Sequence, residues 1–329
     1  MVSGRSDMYI SKACLALFCL FCVPVAAQAA DAGNDSTWEI NVRQKTLFNS
    51  HTSYEFGYPF APYHSPISRL EFSLDSAWAG VEVRKRFSRL SIGAGFLASV
   101  ADQDAGVMKD TDWDEPGSPT PVTSYSVSSC RLEPSYQVAA DIDLQIADVL
   151  RLPEGFDLRP VLGFRWQQLS FMVHDGVQYD YNPPPQPPDI QLLPGNSISF
   201  EQTWYQYVIG LKMGYTWKHI PWLQRLKAQA AFDWSYVEGS NRDRHLLRPG
   251  NRITEQQTSG NAWHTSLELL FGLTPTIELG VEADYLHITT TGTHTLRDDI
   301  NFTVPFSWQN GVKVWSEQFG VSVRSRFRF

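Results

Sequence analysis

Two short segments of this chain carry side chains able to hydrolyse a bond. Asp110-Thr111-Asp112-Trp113 sets two carboxylates two residues apart, and Asp243-Arg244-His245 sets a carboxylate two residues before a histidine. On extended backbone, residues at that spacing project from one face. The two aspartates of the first segment then crowd each other and share protons, so that one stays protonated near neutral pH. In the second segment Asp243 can orient the imidazole of His245 and stabilise its cation, which makes the pair a general base for water. Neither pattern is specific by itself, because both recur in polar loops. The acids Asp102, Asp104, Asp110, Asp112, Asp114 and Glu115 would also suit a hard cation such as calcium. The hydrolytic chemistry needs no metal and no cofactor, but it does need a fold that brings the two segments together.

The start of the chain sets the compartment. Arg5 and Lys12 precede an apolar run over 13–26, and Ala27-Gln28-Ala29 follows with small residues at an A-x-A site. This is the layout of a secretory signal, too short in its apolar part to span a bilayer as a helix. The expected organisation is a signal peptide over 1–30 and one β-barrel domain over 31–329. Cleavage would remove Cys14, Cys19 and Cys22 and leave Cys130 as the one cysteine, so no disulfide framework supports the fold. It would also remove Arg5, Lys12 and Asp7, a net +1, taking the charge from −8 to −9. An acidic exported chain is a poor partner for nucleic acid and a reasonable one for cationic peptides.

Beyond residue 30 the dominant signal is alternation. Val138, Ala140, Ile142, Leu144 and Ile146 fall on one parity, with Gln137, Ala139, Asp141, Asp143 and Gln145 on the other. Leu70, Phe72 and Leu74 alternate with Glu71, Ser73 and Asp75 in the same way. Period two means a strand with one apolar and one polar face. Ten strands are predicted, over 37–49, 67–86, 89–101, 134–150, 156–176, 198–218, 224–240, 260–274, 276–292 and 308–329. Several are far longer than the usual five or six residues. Short turns alternate with long polar loops, the proline-rich 182–188 among them, and aromatic residues make up 13% of the chain. Trp38, Trp78, Trp166, Trp204, Trp222, Trp234 and Trp308 lie near predicted strand ends. Long even-numbered strands, unequal loops and terminal aromatics predict an all-β fold, a ten-stranded antiparallel transmembrane β-barrel with long extracellular loops. The last strand fits, since Val321, Val323, Phe327 and Phe329 share a parity, with only Ser325 breaking the apolar row.

That barrel brings the chemistry together. With both termini periplasmic, the loops after the third and seventh strands open on the extracellular side. The first holds Asp110 and Asp112, and the second opens with Asp243 and His245. Strands three and seven of ten stand nearly opposite, so the two pairs face each other across the mouth.

Several stretches, in order, resemble the omptins, ten-stranded outer-membrane proteases of Gram-negative bacteria. Ser65-Pro66-Ile67-Ser68-Arg69-Leu70-Glu71-Phe72 is similar to the second-strand segment of that family and Leu90-Ser91-Ile92-Gly93-Ala94-Gly95 to its third. Met108-Lys109-Asp110-Thr111-Asp112-Trp113 resembles the first catalytic motif. Asp243-Arg244-His245 with Pro249-Gly250-Asn251-Arg252-Ile253-Thr254 resembles the second. The resemblance implies peptide-bond hydrolysis without a covalent intermediate: Asp243 orients His245, His245 activates water, and Asp110 and Asp112 hold that water and stabilise the oxyanion. It also implies a basic residue before the cleaved bond, held by carboxylates, with Glu55 on one such position.

The departures are informative. Asn241 stands where the family's second specificity carboxylate belongs, so the pocket is one charge short. The stretch from Glu115 to Ser129 has no histidine, where many omptins carry one. Phe164, Trp166, Gln168 and Thr203 replace the family's lipopolysaccharide-binding residues. The reading is therefore a monomeric, omptin-like aspartic-type endopeptidase in the bacterial outer membrane. It would contact outer-membrane lipid and face peptide or protein substrates, cationic ones by preference, on the extracellular side. A non-catalytic barrel of the same fold, serving adhesion or membrane architecture, is the alternative, and a lipid-modifying enzyme a third.

Overall fold

Alternation becomes strand along the whole chain. The computed structural model describes residues 36–60, 65–100, 102–115, 121–182, 186–250, 252–300 and 304–329. The expected signal peptide over 1–30 and residues 183–185 of the proline run lie outside the described residues. The strands are β1 (Ser36–Phe56), β2 (Ser68–Ser73), β3 (Ser76–Phe87), β4 (Leu90–Ser99), β5 (Gln103–Asp112), β6 (Ser124–Leu132) and β7 (Tyr136–Leu144). They continue as β8 (Phe156–Asp180), β9 (Asp189–Ile220), β10 (Leu223–His245), β11 (Ile253–Gly272), β12 (Ile277–Arg297) and β13 (Phe306–Arg328). Among the described residues no helix is long and apolar enough to cross a membrane.

All thirteen strands join one sheet in the order β13-β12-β11-β10-β9-β8-β6-β5-β2-β1-β3-β4-β7, with β13 also pairing β1 and β8 also pairing β7. Each described strand therefore has a partner on both sides, which removes the exposed backbone edge that an open sheet carries. The side chains show that the sheet wraps. Thr52 of β1 donates to Gln202 Oε1 of β9 at 2.7 Å, and Gln167 of β8 meets Gln318 of β13 at 3.2 Å, although neither pair of strands is adjacent.

The segment count differs from the ten predicted, for a local reason. Predicted strand 67–86 forms as β2 and β3, broken at Leu74 and Asp75 beside a register shift in β1 between Phe48 and His51. Asp75 Oδ1 accepts the Ser50 backbone N–H there at 2.9 Å, tying the break to the shift. Predicted strand 89–101 stops at Ser99, but strand resumes as β5 after Asp102, whose φ of 50° turns the backbone. Predicted strand 134–150 is preceded by a further strand, β6. Asp110 and Asp112 thus lie in a strand, where a loop was expected, and Asp243 and His245 end β10. Alternation is weak in β5 and β6 because both of their faces are partly polar.

Lower on the sheet, the outer face is apolar. Leu162, Ile209, Met213, Phe232 and Leu267 are each more than half exposed, at 59%, 56%, 52%, 57% and 59%. A continuous exposed apolar belt marks a surface that does not face water. Aromatic residues bound it: Trp217 and Trp222 toward the short turns, Tyr205, Tyr207, Trp234, Tyr236 and Trp263 at the other rim. From Tyr207 to Trp217 the strand rises about 33 Å, or about 25 Å along the normal of a sheet tilted by roughly 40°, the height of a hydrocarbon band.

The inner face has two layers. Level with the belt it is ionic: Arg84 bonds Asp141 at 2.8 Å and Asp143 at 2.7 Å, Lys45 bonds Asp284 at 2.6 Å, and Arg324 pairs Glu268 at 2.9 Å. Charges of this kind are tolerated at membrane depth only when paired and turned inward. Past the rim the inner face becomes an apolar plug. Phe72, with no exposed surface, stacks on Phe200 at 4.3 Å and packs against Phe171 at 5.5 Å and Tyr54 at 6.4 Å. Phe72→Ala is expected to remove about 3–5 kcal/mol of stability, read as a lower temperature for loss of the compact form on unboiled gels. An unchanged transition would show that the plug does not hold the upper wall.

Candidate active site

The functional side chains sit above the belt. On β10 the last aromatic of the rim is Tyr236, and Asp243 lies seven residues further on, about 23 Å along the strand. Strand register sets one wall: β2 pairs Leu70 with Tyr54 of β1 and with Asp110 of β5, and Ser68 with Phe56 and with Asp112. Opposed residues in antiparallel strands share a face, so Tyr54, Asp110 and Asp112 all point inward. The other wall is β10, whose inner face presents Asn241, Asp243 and His245 in succession. His245 is fixed by its backbone N–H, which donates to Arg252 O at 3.0 Å. The intervening turn needs Gly250, with φ of +84° and Ile300 only 2.7 Å from where a Cβ would lie. The turn folds Arg248 and Arg252 back toward the histidine.

A direct hydrogen bond joins the two walls. The Tyr54 hydroxyl donates to Asp243 Oδ2, and both residues are 1% exposed. The other oxygen, Oδ1, is buried without a hydrogen bond and lies 3.7 Å from His245 Nε2. On the first wall Ser68 Oγ donates to Asp110 Oδ1 at 3.4 Å. Asp243 is near enough to Asp110 for its charge to act there.

Burial first, then the neighbouring charges of Asp112 and Asp243, holds the Asp110 carboxyl well above the usual carboxylate range. Asp112 is raised as well, mainly by burial and further by Asp114, against the Ser68 hydrogen bond and the cations Arg248 and Arg252. Burial lowers His245 below its ordinary 6.5, with Arg248 and Arg252 adding to the effect and Asp243 opposing it. The arrangement therefore favours the neutral form of the imidazole and the protonated form of the acid pair. Such a site has a base and a proton donor ready together. Among the described residues no group of three or more histidine, cysteine or acidic side chains is placed to hold a metal.

Of the six residues singled out in the sequence, the structure brings five to the inner face. Glu55 is the exception. It follows Tyr54 on β1 and so projects to the opposite face, where Arg69 Nη2 binds its Oε2 at 2.7 Å and Arg69 Nε does so at 3.0 Å. Arg69 in turn lies 5.6 Å over both Trp113 and Trp315. Glu55 does not line a pocket beside Asp243, because strand alternation gives that side to Tyr54 and Phe56. Asn241 is buried at 3% exposure and donates to Gln256 Oε1 at 2.8 Å, its own Oδ1 lacking a partner. Sequence reasoning missed Tyr54, Ser68, Arg248 and His294. Extending β1 to Phe56 and assigning its parity would have found Tyr54. Phe164, Trp166 and Gln168 share an outward parity on β8, and Thr203 is the register partner of Gln168 on β9.

An all-β sheet, apolar outside and ionic within, with no membrane-crossing helix among the described residues, has the build of a membrane protein of the β class. The family model described as Omptin family matches residues 51–329, and the chain belongs to that family of outer-membrane β-barrels. Among solved structures it is similar to the outer membrane protease OmpT from Escherichia coli, with a TM-score of 0.77 and 18% identity over 92% of this chain and 99% of that one. It also matches the translocator domain of autotransporter NalP from Neisseria meningitidis, at TM-score 0.33 and 10% identity over 96% of each chain. No curated protein sequence matches it.

Proposed function

We propose that this chain is an endopeptidase of the outer membrane whose Asp243–His245 pair activates water opposite the Asp110–Asp112 pair. Counting the end-to-end segments β2/β3, β4/β5 and β6/β7 as one stave each, the sheet reads as a closed barrel of ten staves. Its short turns lie at the end away from the site, and in this class of barrel short turns are periplasmic. The site then faces the extracellular side, open to peptides and proteins outside the cell. The observation that carries the reading is the meeting of both acid pairs' walls at one place, through Tyr54, with His245 at its edge.

The chemistry follows from the protonation states. Neutral His245 takes a proton from water as the oxygen attacks the peptide carbonyl, and Asp243 stabilises the imidazolium. The proton shared by Asp110 and Asp112 hydrogen-bonds the oxyanion and remains with the pair when the carbonyl re-forms. Collapse breaks the C–N bond, and His245 returns its proton to the leaving amine, so no covalent enzyme intermediate forms. This is an aspartic-type mechanism in which histidine supplies the base. The preference for a basic residue before the cleaved bond, implied by the family resemblance, loses its support with Glu55 on the outer face.

The test is hydrolysis of a peptide library by purified protein reconstituted in outer-membrane lipid. The pH profile of kcat/KM is expected to be a bell. Its acid limb reports His245, and lies below about 6.5 because the neutral imidazole is the active form. Its alkaline limb reports loss of the proton from the acid pair. Asp112→Asn should displace the alkaline limb and leave the acid limb in place. Absence of cleavage across the library would sink the protease reading; an alkaline limb indifferent to Asp112→Asn would remove the shared proton from the mechanism.

A further inference from the structure

We infer that Tyr54 is a third member of the Asp243–His245 unit, a positioning residue that fixes which carboxylate oxygen serves the histidine. The inference rests on the function proposed above and adds to it a residue on a different strand. Asp243 is buried and has one hydrogen-bonded oxygen, Oδ2, whose donor is the Tyr54 hydroxyl. Its Oδ1 is buried, free of hydrogen bonds and directed at His245 Nε2, 3.7 Å away. A carboxylate held at one oxygen cannot rotate freely, so the hydroxyl reserves Oδ1 for the imidazole. The tyrosine is itself immobile. Its ring packs against Phe200 at 5.6 Å, Phe56 at 6.3 Å and Phe72 at 6.4 Å, and it is 1% exposed. Those rings belong to the apolar plug, so the plug serves as the anvil against which the carboxylate is aligned. A buried hydroxyl with a single strong acceptor of this kind acts as the outer support of a catalytic base.

The hydroxyl also sets the charge that the imidazole feels. By donating to Oδ2 it withdraws electron density from Asp243 and weakens the pull of the carboxylate on the imidazolium. The other charges that act on His245 are Arg248 and Arg252 from its own turn; among the surrounding elements, Asp110 and Asp112 stand on β5 and His294 on β12, its pKa lowered to about 3 by burial and by Arg252. None of them bonds Asp243, so the effect of the hydroxyl is separable from theirs.

Tyr54→Phe keeps the ring in the plug and removes only the donor. It is expected to lower kcat by about tenfold to a hundredfold with KM nearly unchanged, and to move the acid limb of the kcat/KM profile upward by about half a pH unit or more. Titration of His245 by nuclear magnetic resonance, in the folded barrel without substrate, should show the same upward movement. That second readout does not depend on cleavage, so it remains decisive even where the peptidase reading fails. Tyr54→Leu, which disturbs the plug, is expected to shift His245 in the same direction while also lowering thermal stability. Unchanged kcat and an unchanged His245 titration in Tyr54→Phe would overturn the inference and leave Tyr54 as part of the plug alone.

Discussion

His245→Ala is expected to lower kcat for peptide cleavage by about a thousandfold or more, with the barrel still folded. A positioned general base contributes about a hundredfold to ten-thousandfold, and in the proposed mechanism the base also returns the proton to the leaving amine. The fold should survive because the local contact of His245 is made by its backbone: the N–H to Arg252 O at 3.0 Å remains in the variant. Its side chain is 15% exposed. Asp243→Asn should cost nearly as much, since an amide cannot stabilise the imidazolium. The double variant should be scarcely worse than either single one, because residues acting as a unit are not additive. The measurement is steady-state hydrolysis alongside gel mobility of the unboiled protein. Cleavage by His245→Ala at the parental rate would remove the histidine from the mechanism and leave the role of base to another residue.

The fold was legible where lipid imposes its pattern and obscure where it does not. Alternation between Tyr136 and Leu144, or along β13, is sharp because one face meets an apolar solvent and the other an ionic interior. Above the rim the outer face meets water, so β5 and β6 show polar residues on both faces and read as loop. The same limit displaced one site residue. With β1 ended at Asn49, Glu55 had no parity, and a resemblance alone placed it in the pocket. Once β1 runs to Phe56, its register with β2 sets Glu55 opposite Arg69 and turns Tyr54 inward. The catalytic-type residues fared better because the i, i+2 spacing in both motifs is itself a statement about a strand face. Contacts across the interior, such as Tyr54 with Asp243, 189 positions apart, have no local signature at all.

On the proposed function, the placement of Glu55 also sets the expected cleavage preference. Beside the catalytic dyad, the inner face presents Asn241, Thr254, Gln256, His294, Phe56 and Trp308. None is a carboxylate, and His294 is neutral, its pKa lowered to about 3 by burial and by Arg252. A substrate arginine entering there would give up its hydration for neutral amides and aromatic faces while approaching Arg252, and an unpaired buried cation carries that cost uncompensated. Substrates with uncharged side chains before the cleaved bond are therefore expected to be cut at least as well as those with Arg or Lys. Asn241→Asp should reverse the order. It sets a carboxylate two residues from Asp243 on the same face, where Gln256 can turn its amide to donate. A charge-assisted bidentate pair worth about 1.5–3 kcal/mol raises the preference for Arg about tenfold to a hundredfold. Lys should gain less, because its ammonium cannot match the two oxygens together. Glu55→Gln should leave the ratio within about twofold, since it breaks only the outer pair with Arg69, and a partly exposed ion pair contributes little. A parental protein that cuts after Arg tenfold faster than after Leu, and loses that preference in Glu55→Gln, would put Glu55 back in the pocket and overturn the assignment of faces on β1.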